Sequence, residues 1–448
     1  MILFVVDTLR PDRLTPYGCD RDTSPNVDRF AREGVLFEQA LSQASFTMAS
    51  MGTLMTSTYP FQHGASRHPS ILGEENHTLA EAFRAAGYAT AAFVCNPLLG
   101  AGSGFSQGFD TYRCLEEAKG GNAEGIVDLG IRWMKEQGDR PFFLWLHCLD
   151  PHFPYLPRYG FMRVSPAERE GQAEYTELLR RKRSGRLGTD EIFFRCPLSP
   201  AGLAAARKAY DSEIAFTDRN FGRLLEALKR SGIADRTVVV FTSDHGENLG
   251  EKGFYFCHGF TVYDIAIRVP LLFRLPGGKR GGTRIREPVR LLDLMPTLLS
   301  LTGVPAPGGL RGRDLSPLLL GRRPGDPAAA PPAYSESEPM YLDGGKRRYP
   351  HRKRIHLPGE EGKWRSVHTD RWHLVLVPKE GKPEVELYEP DADPGEERNL
   401  AAERPEVTAE LERLLEAWMH DPSRRPPRST PELDAEWARR LRNIGYIK

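Results

Sequence analysis

Apolar runs that stop abruptly at polar residues recur along the first part of the chain. Positions 237–241 are β-branched or apolar, and the segment then turns to Ser243, Asp244 and His245. This pattern predicts a buried strand that carries two ligand-type side chains at its C-terminal end, where open α/β sheets bind their ligands. The simpler alternative is an ordinary polar loop after a core strand.

Two further runs end in the same kind of chemistry. Positions 2–6 stop at Asp7, and positions 142–149 stop at Asp150, Pro151 and His152. In a parallel sheet the C-terminal ends of the strands lie at one edge. We therefore expect the three strand ends to converge on one pocket.

Helical patterns alternate with these runs. Ser24 and Pro25 fit the N-cap and the first position of a short helix, and Gly87 and Gly232 fit helix ends. The other predicted elements are strands at 35–37, 89–94 and 269–273 and helices at 79–86, 120–137, 201–231 and 291–301. This alternation predicts an α/β fold with a mostly parallel sheet sandwiched by helices.

Two segments do not follow that alternation. Positions 45–58 are rich in Ser, Thr, Met and Gly without any charge, which predicts a packed helix N-terminus rather than a surface loop. Positions 158–196 carry many charges and no clear period, so we interpret them as an insertion near the pocket mouth, partly mobile.

A Pro-, Gly- and Ala-rich stretch at 305–333 predicts a domain boundary. Beyond it, strands are predicted at 333–337, 364–369, 372–377 and 385–388, and a closing helix at 409–418. We expect a catalytic domain over 1–330 and a smaller C-terminal α+β subdomain with an antiparallel sheet over 331–448. The basic run 346–354 is expected to be a solvated loop, with contact to an anionic substrate as the alternative.

Composition narrows the class of partner. A net charge of +1 with 27% charged residues gives no electrostatic reason to expect nucleic acid, so a small anionic molecule is the expected partner. The six cysteines are scattered singly and indicate neither a disulfide scaffold nor a cysteine-based zinc site.

No apolar run reaches the length of a membrane span, and no signal peptide is evident. A cytoplasmic protein is therefore expected from the sequence as it stands. Because the chain begins inside its first strand, a targeting segment could be missing upstream.

The motifs, taken in order, resemble the sulfatase branch of the alkaline phosphatase superfamily. The matching segments are 4–10, 23–28, 150–155, 243–247, 258–259, 263–264, 267–270, 293–299, 386–389, 393–394 and the tail 441–446. The resemblance covers essentially the whole chain. It implies an alkaline phosphatase-like fold and ester hydrolysis.

The nucleophile position departs from that family. Sulfatases carry Cys or Ser at the head of a C/S-x-P-x-R motif and convert it to formylglycine. Here the register set by positions 55–60 puts Thr47 at that position, with Ala49 for the proline and Met51 for the arginine. Threonine does not yield formylglycine.

A threonine there resembles the phosphodiesterase and lipoteichoic acid synthase relatives, whose threonine nucleophile is coordinated to a metal. The resemblance implies one divalent metal, Mn²⁺, Mg²⁺, Ca²⁺ or Zn²⁺, held by Asp7, Thr47, Asp244 and His245. From local sequence alone, Thr47 could equally be a helix N-cap. Asp12 lies near the position of a second family aspartate, but Thr8 breaks the adjacent Asp-Asp pair, which favours one metal over two.

His152 and His258 match pocket positions of the family and are expected to donate protons or bind phosphoryl oxygens. His63 is a weaker candidate, equally explained by a structural turn. Arg10 and Arg268 could each clamp an anionic oxygen, although Arg268 fits a structural ion pair better. Cys257 is expected to be a buried neutral thiol.

We therefore expect a metal-dependent hydrolase or transferase that acts on a phosphodiester or phosphonate ester through Thr47. The first alternative is a sulfuric ester hydrolase that works without formylglycine. From a different class, the alternative is a catalytically silent relative that binds an anion in the same pocket.

Overall fold

The computed structural model describes residues 1–67, 70–116, 121–322, 330–338, 347–348, 355–356, 359–379 and 381–425. The predicted tail motif at 441–446 lies outside the described residues. So does the basic run 346–354, apart from a short strand at Arg347–Arg348.

The strands, in chain order, are β1 Ile2–Val6, β2 Val35–Leu41, β3 Ala89–Val94, β4 Thr111–Cys114, β5 Phe142–Cys148, β6 Val239–Ser243, β7 Asn248–Leu249, β8 Tyr255–Cys257, β9 Arg268–Arg274, β10 Thr283–Ile285, β11 Val289–Arg290, β12 Ala333–Glu336, β13 Arg347–Arg348, β14 Ile355–His356, β15 Arg365–His368, β16 His373–Val377 and β17 Glu384–Tyr388. The helices are α1 Pro25–Glu33, α2 Thr47–Thr56, α3 Pro60–His63, α4 Leu79–Ala85, α5 Ala123–Glu136, α6 Arg169–Arg183, α7 Thr189–Arg195, α8 Pro200–Arg230, α9 Asp264–Ile267, α10 Leu294–Thr302, α11 Ser316–Leu319 and α12 Pro405–Met419.

The central sheet has the strand order β10-β2-β9-β6-β1-β5-β3-β4, with β11 paired to β2. Most pairs are parallel, and β9 runs antiparallel to both β2 and β6. Strand β1 lies between β5 and β6, with Val6 opposite Cys148 on one side and Ser243 on the other. The mostly parallel α/β fold expected from the alternation of elements is confirmed.

Successive side chains of β1 enter different cores, as the two-residue period of a strand requires. Ile2, Phe4 and Val6 pack on the face covered by α1, α5 and α8, whereas Leu3 and Val5 pack on the face covered by α2, α4 and α10. A strand buried on both faces has no polar alternation. This explains the continuous apolar run in the sequence.

Helix α2 is buried along its whole length, from Thr47 to Thr56. Its methionines and Leu54 share one core with Leu3 and Val5 of β1. The uncharged composition of 45–58 therefore reflects a helix packed between the sheet and other elements, as predicted.

The second sheet is antiparallel, in the order β12-β15-β16-β17, and α12 packs against it. It joins the first sheet's domain through shared apolar clusters, in which Tyr59 and Phe61 meet Trp418, and Tyr263 meets Trp364. The predicted antiparallel C-terminal sheet is confirmed. The division of the chain at residue 330 stays a prediction.

The structure adds detail that the sequence did not predict at the segment 158–196 and at the start of α1. The segment 158–196 forms helices α6 and α7, whose charged faces masked the helical period. Ser24 is the N-cap of α1 and Pro25 is its first residue, as predicted, but the Ser24 hydroxyl makes no capping hydrogen bond and accepts one from the Thr15 amide. Asp218 of α8 supplies that cap and accepts hydrogen bonds from the amides of Asn26 and Val27. Among the described residues, no helix is both long and apolar enough to cross a membrane.

Candidate active site and metal centre

Asp7 and Asp244 meet because β1 and β6 are adjacent parallel strands that end at the same level. Both carboxylates are fully buried. Oδ1 of Asp244 accepts hydrogen bonds from the amides of Thr8, at 3.2 Å, and His245, at 2.9 Å. These bonds fix the Asp244 carboxylate in one orientation. Its second oxygen, Oδ2, is directed toward Nε2 of His245.

The orientation of His245 is set by the backbone. Its Nδ1 lies 2.9 Å from the carbonyl of Gly246, so Nδ1–H donates there and Nε2 of the neutral ring carries a lone pair. Nε2 lies 3.4 Å from Asp244 Oδ2 and 3.7 Å from Asp7 Oδ1. Burial lowers the pKa of His245 to about 4, which favours the neutral ring that a metal ligand requires.

Thr47 is the first residue of α2, and Phe46 is the N-cap, so the alternative of an ordinary threonine N-cap does not hold. The Thr47 hydroxyl is fully buried and lies 3.3 Å from Nε2 of His245. The helix is anchored beside the strand end by Ser50, whose hydroxyl donates to the carbonyl of Asp244 at 2.6 Å. The structure thus brings together all four predicted ligands, and their roles stay predictions.

The donor set fits a divalent cation. Oδ1 of Asp7 and Oδ2 of Asp244 are buried and accept no hydrogen bond from the described residues. One ligand atom from each of Asp7, Asp244 and His245 lies within 4.8 Å of the others. Burial and the neighbouring Asp244 raise the pKa of Asp7 well above its usual range, so a cation between the two carboxylates would stabilise their ionised form. Two carboxylates, a hydroxyl and an imidazole suit Mn²⁺, Mg²⁺, Ca²⁺ or Zn²⁺.

Asn96 belongs to this site, although the sequence did not single it out. Its side-chain amide donates to Asp7 Oδ2 at 2.7 Å and to Thr47 Oγ1 at 3.3 Å. The Leu98 amide donates to Asn96 Oδ1 and so fixes which end of the side chain faces the site. Asn96 follows the end of β3, and the strand-end rule that found Asp7 could have found it too.

His152 and His258 face each other next to His245. The ring centroids of His152 and His258 are 4.9 Å apart, and those of His245 and His258 are 4.5 Å apart. Nδ1 of His152 lies 2.6 Å from the carbonyl of Phe153, and burial, with His258 beside it, lowers the pKa of His152 well below its usual range. A neutral His152 therefore presents Nε2 as a proton acceptor.

Glu247 is the second residue that the sequence did not identify as functional. Its carboxyl is fully buried, and Oε1 lies 3.2 Å from Nδ1 of His258. Burial raises the pKa of Glu247 to about 8. A carboxyl with a raised pKa therefore lies in contact with His258, beside the predicted metal ligands.

His147 also lies at the edge of the site, on β5. Its Nε2 is 3.8 Å from Asp244 Oδ2, and its ring is fully buried. Burial raises the pKa of Asp244, but His245 and His147 outweigh burial and lower it below its usual range. The sequence did not identify His147, because it lies within the apolar run of β5, which has the pattern of a buried core strand.

Both arginine candidates are structural. Arg10 binds both oxygens of Asp12 at 2.9 Å and also Glu251 at 2.8 Å, so the expected clamp on a substrate is wrong for Arg10. Asp12 is likewise paired with Arg10 and stands outside the ligand set. Arg268 pairs with Asp264 at 3.2 Å, as its structural interpretation predicted.

His63 and Cys257 also serve the fold. Nε2 of His63 lies 3.2 Å from the Thr53 hydroxyl, its Nδ1 accepts from the Ala65 amide, and its ring lies against Gly52. The His63 ring therefore packs against α2 and stabilises its position. This agrees with the structural role that the sequence offered as an explanation for His63. Burial raises the pKa of Cys257 well above its usual range, so the thiol is neutral, as expected.

A family model described as Sulfatase matches residues 1–304. An ulvan-active sulfatase from Formosa agariphila is 27% identical over an alignment of 350 positions that covers 71% of this chain and 64% of that protein. The match thus spans less than two thirds of that relative. An N-acetylglucosamine-6-O-sulfatase from Bacteroides thetaiotaomicron is 24% identical, with 93% of this chain and 85% of that protein covered.

Solved structures show the same fold. A phosphonate monoester hydrolase from Silicibacter pomeroyi superposes with a TM-score of 0.70 at 22% identity, covering 93% of this chain and 94% of that one. At this level of identity the likeness establishes the fold alone.

Proposed function

Since the chain belongs to the sulfatase family, we propose that it is a metal-dependent hydrolase or transferase of phosphate-type esters in which Thr47 is the nucleophile. One observation carries the proposal: Thr47 Oγ1 lies 3.3 Å from His245 Nε2, inside the cluster formed with Asp7 and Asp244. A hydroxyl buried among metal-ligand side chains has the placement that nucleophilic attack requires.

Thr47 excludes the formylglycine route of sulfate ester hydrolysis. Formylglycine is an aldehyde on Cβ, and the methyl group that threonine carries on Cβ makes an aldehyde at that carbon impossible. An ester on Thr47 therefore cannot be released by elimination from a hydrated aldehyde. Water must attack the phosphorus or sulfur atom of the Thr47 ester instead.

The first step forms a bond between Thr47 Oγ1 and phosphorus and breaks the bond from phosphorus to the leaving oxygen. A divalent ion held by Asp7, Asp244, His245 and Thr47 would favour ionisation of the hydroxyl, with release of its proton to solvent, and would balance the negative charge of the ester. The N-terminal amides of α2, beside Thr47, add the positive end of the helix dipole toward the anionic group.

His258 is suited to protonate the leaving oxygen. Below its pKa of about 8 the Glu247 carboxyl carries a proton, which it can donate to Nδ1 of His258, 3.2 Å away. With Nδ1 accepting this hydrogen bond, the hydrogen of the neutral His258 ring lies on Nε2, and Nε2 can donate it.

His152 supports the second step. With Nδ1–H bonded to the Phe153 carbonyl, Nε2 of His152 can accept a proton from the water that attacks the Thr47 ester. That attack forms a new bond from water oxygen to phosphorus and breaks the bond to Thr47 Oγ1, which is left ionised as at the start of the first step. The proton that His152 accepts from water replaces the one that His258 gave to the leaving oxygen. An alcohol in place of water would make the same reaction a transfer.

A sulfuric ester hydrolase without formylglycine is the second candidate, and the sulfatase relatives favour it. The two candidates share every residue named above and differ in the central atom attacked. A catalytically silent, anion-binding protein is the third outcome that an experiment must separate.

The test uses wild-type protein and Thr47→Ala with bis-p-nitrophenyl phosphate, a phosphonate monoester and p-nitrophenyl sulfate. Each assay is run with Mn²⁺, Mg²⁺, Ca²⁺ or Zn²⁺. We expect metal-dependent turnover of a phosphate-type ester that Thr47→Ala abolishes. Faster turnover of the sulfate would favour the second candidate. Equal background rates for both proteins on all substrates would overturn the enzymatic proposal.

A further inference from the structure

A second cluster of metal-ligand side chains lies between the two sheets. Asp264 begins α9, His368 ends β15 and His373 begins β16, and all three are buried. One ligand atom from each lies within 4.8 Å of the other two. None of them takes part in the chemistry proposed for Thr47.

His373 is oriented as a metal ligand would be. Its Nδ1 is hydrogen-bonded to Oε1 of Glu396, so Nε2 points away from that carboxylate. His373 is fully buried, and its Nε2 has no hydrogen-bond partner among the described residues. In protein metal sites, a histidine that binds the metal through one ring nitrogen commonly donates its other ring N–H to a carboxylate.

His368 is held in a similar way. Its Nδ1 lies 2.6 Å from the carbonyl of Thr369, which directs Nε2 toward Asp264 Oδ1 at 3.5 Å. The rings of His368 and His373 are 4.9 Å apart. Both imidazoles thus use Nδ1 for orientation and present Nε2 to the same space.

Asp264 completes the set. Its Oδ2 binds Arg268 at 3.2 Å, its amide donates to Glu396 Oε2 at 2.9 Å, and its buried Oδ1 accepts no hydrogen bond from the described residues. Glu396 therefore orients both Asp264 and His373, with one oxygen on each. Nε2 of His368, Nε2 of His373 and Oδ1 of Asp264 therefore converge on one point. The other polar atoms of the three side chains bind Thr369, Glu396 and Arg268.

We propose that Asp264, His368 and His373 form a second divalent metal site, separate from the Thr47 site and suited to Zn²⁺. Two imidazole nitrogens and one carboxylate oxygen match the ligands that zinc prefers, and a water can fill the fourth position. The proposal is independent of the function assigned to Thr47.

The site would brace the loop that carries His245. The amides of Gly246 and Glu247 donate to the carbonyls of Ala266 and Ile265 in α9. An added Cβ on Gly246 would lie 2.0 Å from the Ile265 carbonyl oxygen, so the two segments are in direct contact. A metal that ties Asp264 at the start of α9 to β15 and β16 therefore fixes this support to the C-terminal sheet.

The test begins from Asp7→Asn/Asp244→Asn, which removes ligands of the first site. This protein is loaded with Zn²⁺, freed of excess metal and analysed for bound zinc by mass spectrometry. We expect it to retain one zinc equivalent, and we expect that equivalent to be lost when His373→Gln is added. His420→Gln, at an exposed histidine of the C-terminal part, is the control and should retain it.

Two further readouts keep the test decisive if His373→Gln folds poorly. Zn²⁺ should raise the Tm of Asp7→Asn/Asp244→Asn. Co²⁺ added to the same metal-free protein should give the visible absorption bands of a four-coordinate site. Absence of bound zinc, of a Tm shift and of cobalt bands would overturn the proposal and leave a protonated histidine paired with Asp264 and Glu396.

Discussion

The hydroxyl of Thr47 lies 3.3 Å from Nε2 of His245, although 198 positions separate the two residues in the chain. Thr47 is delivered by the N-terminus of α2 and His245 by the loop after β6. The contact joins the candidate nucleophile to the candidate metal ligands. It therefore underlies the first prediction.

Thr47→Ser should keep activity within about tenfold of wild type, because it retains the attacking hydroxyl, whereas Thr47→Ala should lose at least about a thousandfold in kcat. Acid-quenched wild-type reactions should carry a phosphoryl group on a peptide containing Thr47, detected by mass spectrometry. A phosphoryl label on any other residue, or full activity of Thr47→Ala, would contradict the assignment.

Asn96→Ala should lower kcat and metal affinity each by about 10–100-fold, because Asn96 orients both Asp7 and Thr47. The measurements are steady-state kinetics and a metal titration. Adding Asn96→Ala to Thr47→Ala should cause little further loss, since the two residues act together.

The control for Asn96 is Asn399→Ala, which removes a hydrogen bond to the Leu387 amide in the C-terminal sheet. It should change stability by about 1 kcal/mol without changing kcat. Unchanged kcat and metal affinity in Asn96→Ala would show that the hydrogen bonds from Asn96 to Asp7 and Thr47 contribute to neither catalysis nor metal binding.

Asp7→Asn should be inactive yet more stable than wild type when both are metal-free at neutral pH. It removes one of two adjacent buried carboxylates, and its amide can face the unbonded oxygen of Asp244. We expect a gain of roughly 1 kcal/mol, which raises the Tm of a chain of 448 residues by about 1 °C in scanning calorimetry. Saturating metal should reverse the order. If metal-free Asp7→Asn has a lower Tm than metal-free wild type, the two adjacent carboxylates do not destabilise the metal-free protein.

His63 should make the protein sensitive to acid. Burial lowers the pKa of His63 from 6.5 to about 3. Below pH 6.5, His63 therefore binds a proton in the unfolded chain but stays neutral in the folded chain until the pH approaches 3. Stability from this group is present above pH 6.5 and is lost as pH falls toward the folded pKa, by about 1.4 kcal/mol per pH unit.

Urea unfolding of wild type and His63→Gln from pH 7.5 to 5 tests that slope. We expect the wild type to lose about 2 kcal/mol more than the variant over this range. His77→Gln, at an exposed histidine, should follow the wild type. Parallel curves for wild type and His63→Gln would mean that His63 is protonated in the fold.

The sequence by itself determined the fold class and identified the first candidate ligands. Runs such as Ile2–Val6 are apolar on both faces because helices cover both sides of a parallel sheet. Asp7, Asp244 and His245 were found because parallel strands carry ligands at one edge. These signals are local: each is written in a few consecutive residues.

Tertiary structure alone decided which polar residues act together. Asn96 and Glu247 gained their significance from contacts with Asp7 and His258, and Arg10 lost its expected role to Asp12. The cluster of Asp264, His368 and His373 joins segments about a hundred positions apart. Hydrogen bonds and metal coordination act over a few ångströms in space, and only the packed chain defines those distances.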